Sequence, residues 1–417
     1  MTNSIQNSSH KPDNTGAGES RRSFVAEPVR VRTGKAQSLD AVIAGYLGVD
    51  IIPGFPRGRN PVAAREFLRP GKLIETDGLG FSLGGAVANT GLAMRRFGRD
   101  VELMGCIGRD TLGDLVLSLL QGHGVSGGIH RNRKAGTAYG IIMAPPGMDR
   151  IFLEDPGCNA YFSTREIQWD TVARSRLFHY GYPPLMKRMW CNEGQELRAM
   201  FERVRKLGVA TSLDMALPDS DSPAGKADWR SILAKTLPLV DIFVPSVEEI
   251  LFMLEPEEHT RLLAQAAGRD MVEIIPSSHY ERLGEQLLAM GAGVVMIKAG
   301  PRGAYLRTGD TANIRAATSL ALPDDWRDRS VWVASLPVDR DRFKNACGAG
   351  DCAVAGFLTA MLMGCGIENA AHYAMRAGRD SLYGADAFSG LSDWGVMSES
   401  INQQASGSPR RRVRIPA

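Results

Sequence analysis

Short apolar segments alternate with amphipathic helical segments through most of the chain, and this alternation restricts the fold more than any other feature of the sequence. Five segments have the β-branched and aromatic composition of buried strands: 41–44, 177–180, 210–213, 241–244 and 294–297. Helical patterns span 86–97, 112–121 and 196–207, and the glycines that follow them, Gly98, Gly122 and Gly208, predict where these helices end. Because parallel strands need such crossover connections, the pattern predicts an α/β fold with a mainly parallel sheet flanked by helices on both faces.

Two segments, 51–77 and 137–155, interrupt this alternation. They contain short extended runs at 138–143 and 150–153, separated by the turn residues Pro145, Pro146 and Gly147, and no long helical pattern. We expect hairpins that project from the α/β body; plain surface loops are the alternative.

Charge is distributed unevenly along the 417 residues. Residues 1–38 have six basic and three acidic side chains without hydrophobic periodicity, which predicts a disordered tail. Residues 405–417 have four arginines and no acid, which predicts a basic, solvated tail. The remainder has 39 basic and 43 acidic residues, a balance that argues against a nucleic-acid partner unless folding gathers a basic patch.

Cysteine usage and hydropathy predict a cytoplasmic protein. The six cysteines form no CxxC pair, so neither a disulfide framework nor a zinc site is indicated. The most apolar long run, 352–367, has 16 residues and is shorter than the roughly 20 that span a bilayer, so it predicts a buried helix and no membrane partner. The first residues lack the apolar stretch of a signal peptide.

A glycine-rich motif, Gly348, Ala349, Gly350 and Asp351, begins this apolar helix. Backbone amides at a helix N-terminus bind anions, and the helix dipole favours phosphate there. A carboxylate beside a phosphate indicates a general base that takes a proton from an attacking hydroxyl. The alternatives are a turn that only packs the helix closely and a dinucleotide fingerprint, although the polar residues 340–345 are a poor strand for such a fingerprint.

A second set of glycines, Gly84 and Gly85, precedes the helical pattern that contains Asn89, and Asp50 follows the first strand. An Asp and an Asn beside exposed backbone can make paired hydrogen bonds to the vicinal hydroxyls of a polyol. Close helix packing is the alternative role for the two glycines.

A third set follows two predicted strands, at the edge where open α/β sheets bind ligands. Ser246 and Glu249 follow 241–244, whereas Lys298, Gly300, Arg302 and Gly303 follow 294–297. Glu249 could hold Mg²⁺ through water, or could pair with Ser246 in a capping box. The two glycines could let a nucleotide approach the backbone, or could form a turn.

Taken together and in chain order, these motifs resemble the ribokinase-like (PfkB) carbohydrate kinase family over roughly residues 39–400. The resemblance implies a core at 39–50, 78–136 and 156–404 with a small β-sheet lid at 51–77 and 137–155. It implies transfer of the γ-phosphoryl of ATP, with Mg²⁺, to a sugar hydroxyl. Asp351 would be the base, and the Gly348–Asp351 segment the anion hole. Asp50, Gly84, Gly85 and Asn89 would bind the acceptor; Ser246, Lys298, Gly300, Arg302 and Gly303 would line the nucleotide; Glu249 would steady the metal.

The sequence departs from the family pattern beside the anion hole. Asn345 and Ala346 stand where many members have Asp and Thr, which help to hold a monovalent cation, so K⁺ activation is not expected. Ser246 stands where Asn is usual. A nucleoside kinase and a non-catalytic sugar- or nucleotide-binding protein remain the alternatives. Tyr180 and Tyr182 could line the acceptor site or belong to the core, and family analogy suggests a homodimer through the lid.

Overall fold

A computed structural model of the chain describes residues 39–56, 64–125, 127–145 and 151–407. The predicted N-terminal tail lies outside these residues, as does most of the predicted C-terminal tail. The last helix runs to Gly407, into the segment predicted as that tail. Within the described ranges, no helix has the length and apolar character needed to cross a bilayer.

The described strands form two sheets. The large sheet has nine strands in the order β13-β12-β11-β10-β9-β8-β1-β4-β5, and the small sheet has the order β3-β2-β6-β7. The bounds are β1 Leu39–Gly45, β2 Gly48–Pro53, β3 Leu79–Gly84, β4 Val101–Ile107, β5 Ile129–Arg131, β6 Tyr139–Met143, β7 Ile151–Asp155, β8 Ser175–Gly181, β9 Ala210–Asp214, β10 Ile242–Phe243, β11 Val294–Lys298, β12 Ala304–Thr308 and β13 Ser330–Val333.

The predicted parallel strands are confirmed in the large sheet. The five predicted segments are β1, β8, β9, β10 and β11, which pair in parallel, as do β4 with β1 and β5 with β4. Among the described strands of this sheet, only β12 runs opposite to the others, and it pairs antiparallel with β11 and with the edge strand β13. The carboxyl ends of β1, β8, β9 and β11 therefore meet at one side, where the candidate site lies.

Helices cover both faces of this sheet. Their bounds are α1 Ala64–Phe67, α2 Ala86–Arg96, α3 Thr111–Gly122, α4 Trp169–Val172, α5 Lys187–Lys206, α6 Trp229–Thr236, α7 Val247–Leu254, α8 Pro256–Ala266, α9 Ser277–Ala289, α10 Ala312–Ala317, α11 Ala349–Leu362, α12 Ile367–Ser381 and α13 Trp394–Gly407. Alternate residues of β1 enter different core clusters. Ala41 and Ile43 pack with α2, α11 and α12, whereas Val42 and Ala44 pack with α5, α7 and α9.

The small sheet uses the predicted segment 137–155 for β6 and β7, but from the predicted segment 51–77 it uses only residues 51–53, at the end of β2. β6 and β7 form the expected antiparallel pair. However, β2 begins at Gly48, and β3 lies within the segment 78–136 that the family resemblance places in the core. Only Tyr46 and Leu47 separate β1 from β2, so the chain passes from the large sheet into the small one with almost no linker.

Two of the three predicted helix ends are confirmed. Gly98 and Gly208 have φ of 76° and 71°, the left-handed conformation expected just after a helix. The prediction for Gly122 is wrong, because α3 includes this residue and the left-handed residue is Gly124, with φ of 70°. The amide of Gly124 donates to the carbonyl of Gln121, so the left-handed residue that ends the helix lies two residues later than the sequence pattern predicted.

Replacing Gly45 by alanine should destabilise the protein. Gly45 has φ of 129°, and a Cβ there would lie 2.2 Å from the carbonyl oxygen of Gly181, its partner on β8. We expect a loss of about 2–4 kcal/mol in the free energy of unfolding by urea denaturation. The matched control is Gly122→Ala, where a Cβ meets nothing within 4 Å, so the change should be neutral or stabilise α3 by up to about 1 kcal/mol. Equal stability of Gly45→Ala and wild type would show that β1 and β8 can separate enough to admit a Cβ between them.

Candidate active site

Two cavities open on either side of the beginning of α11. The acceptor-side cavity, of about 340 Å³, lies between the small sheet and the large one and is lined by Asp50, Asn89, Glu154, Tyr182 and Asp351 among others. The nucleotide-side cavity, of about 950 Å³, is lined by Lys298, Ala349 and Gly350 among others. Consecutive residues of one helical turn therefore face different cavities.

The backbone at the start of α11 requires glycine. Gly348 caps the helix with φ of 75° and ψ of 3°, and a Cβ there would lie 2.4 Å from Cβ of Ala387. The first amides of a helix have no intrahelical acceptor, so this end of α11 offers donors and a positive dipole end to an anion. The segment predicted from the sequence as an anion hole, Gly348, Ala349, Gly350 and Asp351, forms this end of α11.

The carboxylate of Asp351 is buried, with 2% of the residue exposed, and two side chains from other elements hold it. Nδ2 of Asn89 on α2 donates to Oδ2 over 2.9 Å. The hydroxyl of Tyr182, just after β8, lies 2.7 Å from Oδ1 and 2.8 Å from Oδ2. Burial raises the pKa of Asp351, while the hydrogen bonds from Asn89 and Tyr182 and the charge of Lys298 oppose the rise. A carboxylate with a raised pKa and a fixed orientation suits proton transfer near neutral pH.

A row of residues across the small sheet faces the acceptor-side cavity. Asp50 on β2 pairs with Gly140 on β6, which pairs with Glu154 on β7. A Cβ on Gly140 would lie 3.0 Å from Oε2 of Glu154 and 3.4 Å from Oδ1 of Asp50, so the glycine leaves room for both carboxylates. A Cβ on Gly84 would lie 2.4 Å from Oδ1 of Asp50. The predicted acceptor residues Asp50, Gly84, Gly85 and Asn89 all line this cavity.

A second tyrosine holds the carboxylate on the small sheet. The hydroxyl of Tyr46 donates to Oε1 of Glu154 over 2.5 Å, and the rings of Tyr46 and Tyr182 lie 6.4 Å apart. Burial and the charge of Glu154 raise the pKa of Tyr46 well above its usual value, so its hydroxyl keeps its proton. Tyr46 and Tyr182 thus each donate to one carboxylate of this cavity.

Lys298 at the end of β11 connects the nucleotide-side cavity with a buried acid. Its ammonium group lies 2.7 and 2.8 Å from the two carboxylate oxygens of Asp214, which is fully buried at the end of β9. Burial lowers the pKa of Lys298, but the charges of Asp214 and Glu249 more than offset this and raise it, so the ammonium stays charged. A Cβ on Gly350 would lie 3.9 Å from this nitrogen, which places the positive charge beside the anion hole.

The remaining nucleotide-side predictions have different placements. Gly300 and Gly303 line the cavity with Lys298. Ser246 and Glu249 form the capping box of α7, in which the Ser246 amide donates to Oε2 of Glu249 over 2.6 Å. Arg302 does not line the cavity, because its guanidinium donates to the carbonyls of Val272 and Ile275 and lies over two aromatic rings.

Four side chains of the site were missed or left undecided by the sequence patterns: Tyr46, Glu154, Tyr182 and Asp214. The sequence could have predicted a role for Asp214, because it is the polar residue directly after the predicted strand 210–213. Tyr182 has φ of 66° and ψ of 44°, a left-handed conformation that is uncommon for a non-glycine residue and is found mostly at functional positions. Tyr180 is a core residue instead, and its hydroxyl contacts Sδ of Met186.

Comparison with known proteins decides the family. The sequence pattern of the pfkB family carbohydrate kinases matches residues 60–382. The chain belongs to this family. It is therefore a phosphotransferase of the sugar kinase type, with an alcohol group as acceptor, as the resemblance implied.

Individual relatives agree with this assignment. An uncharacterized sugar kinase of Archaeoglobus fulgidus is 25% identical over 279 residues, which cover 66% of this chain and 89% of the relative. Fructokinase-1 of Oryza sativa subsp. japonica is 27% identical over 173 residues, 41% of this chain and 52% of the fructokinase. The match therefore spans only about half the length of the plant enzyme.

Solved structures share the ribokinase-like fold. Arabidopsis thaliana ribokinase complexed with ribose and ATP has a TM-score of 0.63 at 17% identity, covering 87% of this chain and 98% of that one. A putative ribokinase II from E. coli in complex with ATP and Mg²⁺ has a TM-score of 0.61 at 20% identity, covering 88% and 99%. The predicted fold class, a mainly parallel sheet flanked by helices with a smaller sheet, is confirmed.

Replacing Asp50 by asparagine should stabilise the fold in a pH-dependent way. Burial, with the charges of Glu154 and Asp351, raises the pKa of Asp50 from 3.8 to about 7. Between these values the folded state binds more protons than the unfolded state, so ionisation of Asp50 lowers stability as the pH rises. By scanning calorimetry, Asp50→Asn should unfold a few degrees above wild type at pH 8 and at nearly the same temperature at pH 4. An Asp50→Asn difference that is the same at both pH values would contradict the assignment.

Proposed function

We propose that the protein transfers the γ-phosphoryl group of ATP to a hydroxyl of a small, uncharged sugar. The observation that carries this proposal is the position of Asp351, a buried carboxylate in the first turn of α11 between the two cavities. An acceptor hydroxyl beside its carboxylate and a phosphate at the helix N-terminus would lie on the two sides of the same turn. Phosphoryl transfer asks a protein mainly for such alignment and for charge neutralisation.

The acceptor-side cavity supports a hydroxyl-rich, uncharged acceptor. Its carboxylates, Asp50, Glu154 and Asp351, accept hydrogen bonds from hydroxyl groups, and none of its described lining residues is Lys, Arg or His. An anionic acceptor would be repelled by these carboxylates without a compensating cation. The small sheet, which carries Asp50 and Glu154, would act as the lid that excludes water from the transferred phosphoryl group.

The nucleotide-side cavity supports ATP as the donor. Lys298, Ala349 and Gly350 line this cavity, so the ammonium group and the first turn of α11 would offer positive charge and N–H donors to phosphates. Val338, Phe343, Met375 and Leu382 give the other part of the cavity an apolar wall suited to a base. The ATP complexes of the Arabidopsis and E. coli structures support the same use.

The residues present also fit Mg²⁺ held through water and phosphate. Among the described residues, no group of three or more His, Cys, Asp or Glu side chains could hold a metal by itself. Mg²⁺ keeps several of its waters and needs only one or two carboxylates in such sites. The charge of Glu249 helps to raise the pKa of both Asp351 and Lys298. In the described hydrogen bonds, its Oε2 atom accepts from the Ser246 amide in the capping box. When bound, Mg²⁺ would neutralise phosphate charge.

In the reaction we propose, Asp351 takes the proton of the acceptor hydroxyl as the hydroxyl oxygen attacks the γ-phosphorus. The bond between this phosphorus and the β,γ-bridging oxygen breaks, and ADP leaves with that oxygen. Asn89 and Tyr182 position the carboxylate, and their hydrogen bonds favour its ionised form. The helix amides and Lys298 stabilise the charge that spreads over the transferred phosphoryl group; each such donor typically contributes about 3 kcal/mol to transition-state stabilisation. The carboxylate returns the proton to solvent after product release.

Three further interpretations of the sequence stay predictions: a nucleoside kinase, a homodimer through the lid and a cytoplasmic location. A nucleoside kinase is favoured only by the aromatic side chains of Tyr139 and Phe152 on the acceptor-side cavity, since Phe55 and Phe67 contact each other instead. The homodimer through the lid is supported by exposed apolar side chains on its edge strands β3 and β7: Leu79, Phe81, Phe152 and Leu153. The cytoplasmic location rests on the sequence alone.

Replacing Asp351 by asparagine tests the proposed function. The amide cannot accept the proton, so kcat should fall by about 10²- to 10⁴-fold. ADP release would be followed at saturating MgATP with fructose, ribose and adenosine, and calorimetric binding of ATP would check that the variant is folded. A folded variant with undiminished turnover would overturn the proposal, and turnover by wild type with adenosine alone would favour the nucleoside kinase.

Tyr182→Phe provides a graded comparison in the same assay. It keeps the base but removes a donor that lowers the pKa of Asp351, so the acidic limb of the kcat/KM profile should move to higher pH. The matched control is Tyr46→Phe, which removes a hydroxyl that contacts Glu154 and should leave that limb in place. An unmoved limb in Tyr182→Phe would assign Tyr182 a packing role only.

Asn345 supports the expectation that K⁺ is not needed. Its Nδ2 donates to the carbonyls of Gly384 and Ala385 over 3.1 and 3.0 Å, while Oδ1 accepts from the Cys347 amide over 2.8 Å. The neutral amide thus satisfies carbonyl oxygens beside the anion hole, where the family resemblance implies a cation. We propose that this side chain replaces the monovalent ion as the link between the two loops.

Activity should therefore change less than about twofold when tetramethylammonium chloride is replaced by KCl at constant ionic strength, because a bound K⁺ would need the oxygens that Asn345 occupies. The double variant Asn345→Asp, Ala346→Thr should acquire K⁺ activation, since it restores oxygen ligands of the family pattern. Strong activation of the wild type by K⁺ would show that a cation site persists despite Asn345.

A further inference from the structure

A groove with a strongly basic lining lies beside edge strand β5, and its lining shares no residue with either cavity of the candidate site. This basic groove has a volume of about 290 Å³. Its basic side chains come from four segments: the loop after β4, β5 with the loop that follows it, the segment before α4 and the first turn of α5. They are Arg109, His130, Arg131, Arg133, Lys134, Arg165 and Arg188.

Most of this positive charge lacks a counter-charge in the described part of the chain. Glu166 is the only acid among the described lining residues, and it already accepts hydrogen bonds from the amide and hydroxyl of Ser163. Arg131 pairs with Asp114 over 2.6 Å. The four other arginines, Arg109, Arg133, Arg165 and Arg188, have no acidic partner within 4.0 Å among the described residues.

The stability of the fold does not explain why these arginines lie together. The four unpaired arginines are exposed, so they bury little apolar surface, and like charges gathered in one groove repel each other. A bound polyanion removes that repulsion. Arginine also binds phosphate through paired N–H donors, which gives geometric specificity as well as charge.

We infer that the basic groove binds a small ligand with two or more phosphate groups. The number of arginines matches several phosphate oxygens, and the volume suits a small molecule rather than a polymer. Tyr161, which is 40% exposed, lies in the wall of the groove with the ammonium group of Lys134 5.8 Å from its ring centroid. Its ring face offers an apolar surface to the organic part of such a ligand.

Titration calorimetry of the full chain with inorganic pyrophosphate at low ionic strength tests this inference without any assay of phosphoryl transfer. The double variant Arg165→Gln, Arg188→Gln should weaken binding at least about tenfold, because charge-assisted hydrogen bonds are lost. Lys206→Gln, at the opposite end of α5 from Arg188, should bind as wild type does. Because pyrophosphate could also enter the nucleotide-side cavity, Arg340→Gln provides the comparison there.

The inference is overturned if wild type shows no pyrophosphate binding, or if the double variant binds as wild type does while Arg340→Gln does not. Unchanged unfolding temperatures of these surface variants would show that the loss is not one of folding. Failure of this test leaves the proposed kinase function intact, since that function depends on Asp351. A failed Asp351→Asn test likewise leaves the groove unaffected.

Discussion

The carboxylate of Asp351 must be buried and still be hydrogen-bonded, and this requirement ties the site together. A buried charge without donors costs several kcal/mol, so the chain must bring donors to it. They come from α2 through Asn89 and from the end of β8 through Tyr182. The approach of these elements depends on small residues: a Cβ on Gly181 would lie 2.1 Å from Cβ of Ala86, and one on Gly348 would meet Ala387. The close approach of α2, β8 and α11 around the site therefore holds the carboxylate of Asp351 in place.

The same helical turn also separates two electrostatic environments. On one side, Asp50, Glu154 and Asp351 give the cavity an acidic character, and burial, with the charges of the other two carboxylates, raises the pKa of Asp50. On the other side, Lys298 remains charged because Asp214 and Glu249 compensate for its burial. A neutral polyol suits the first environment and a phosphate chain the second. The two substrates of the proposed reaction would thus be directed to opposite sides of α11 by charge as well as by shape.

Local patterns predicted the parts of the fold that local physics determines. The five parallel strands and the helix that begins at Ala349 follow from periodicity and glycine placement, which are visible in a short window. Strand β13 has the strand-forming residues Val331, Trp332 and Val333, but it is only four residues long and lies between charged segments, so its pairing with β12 is not visible in a short window. Arg302 illustrates the same limit for the site. Its place beside a glycine turn suggested a nucleotide ligand, but the carbonyls that it contacts come from Val272 and Ile275, remote in sequence.

Two features of the structure, the Asp50 and Glu154 pair and the basic groove, could not be predicted from composition because their residues are distant in sequence. Glu154 and Asp50 meet only because β6 contributes Gly140 between them, and the sequence separation of their segments gives no sign of this pairing. The basic groove gathers residues from four separate segments in a core whose acids outnumber its bases. A net charge near zero is therefore compatible with an acidic acceptor-side cavity and a basic groove, each an acidic or basic recess, in the same chain. Since ligands respond to local potential rather than to the sum, each recess selects its own class of partner.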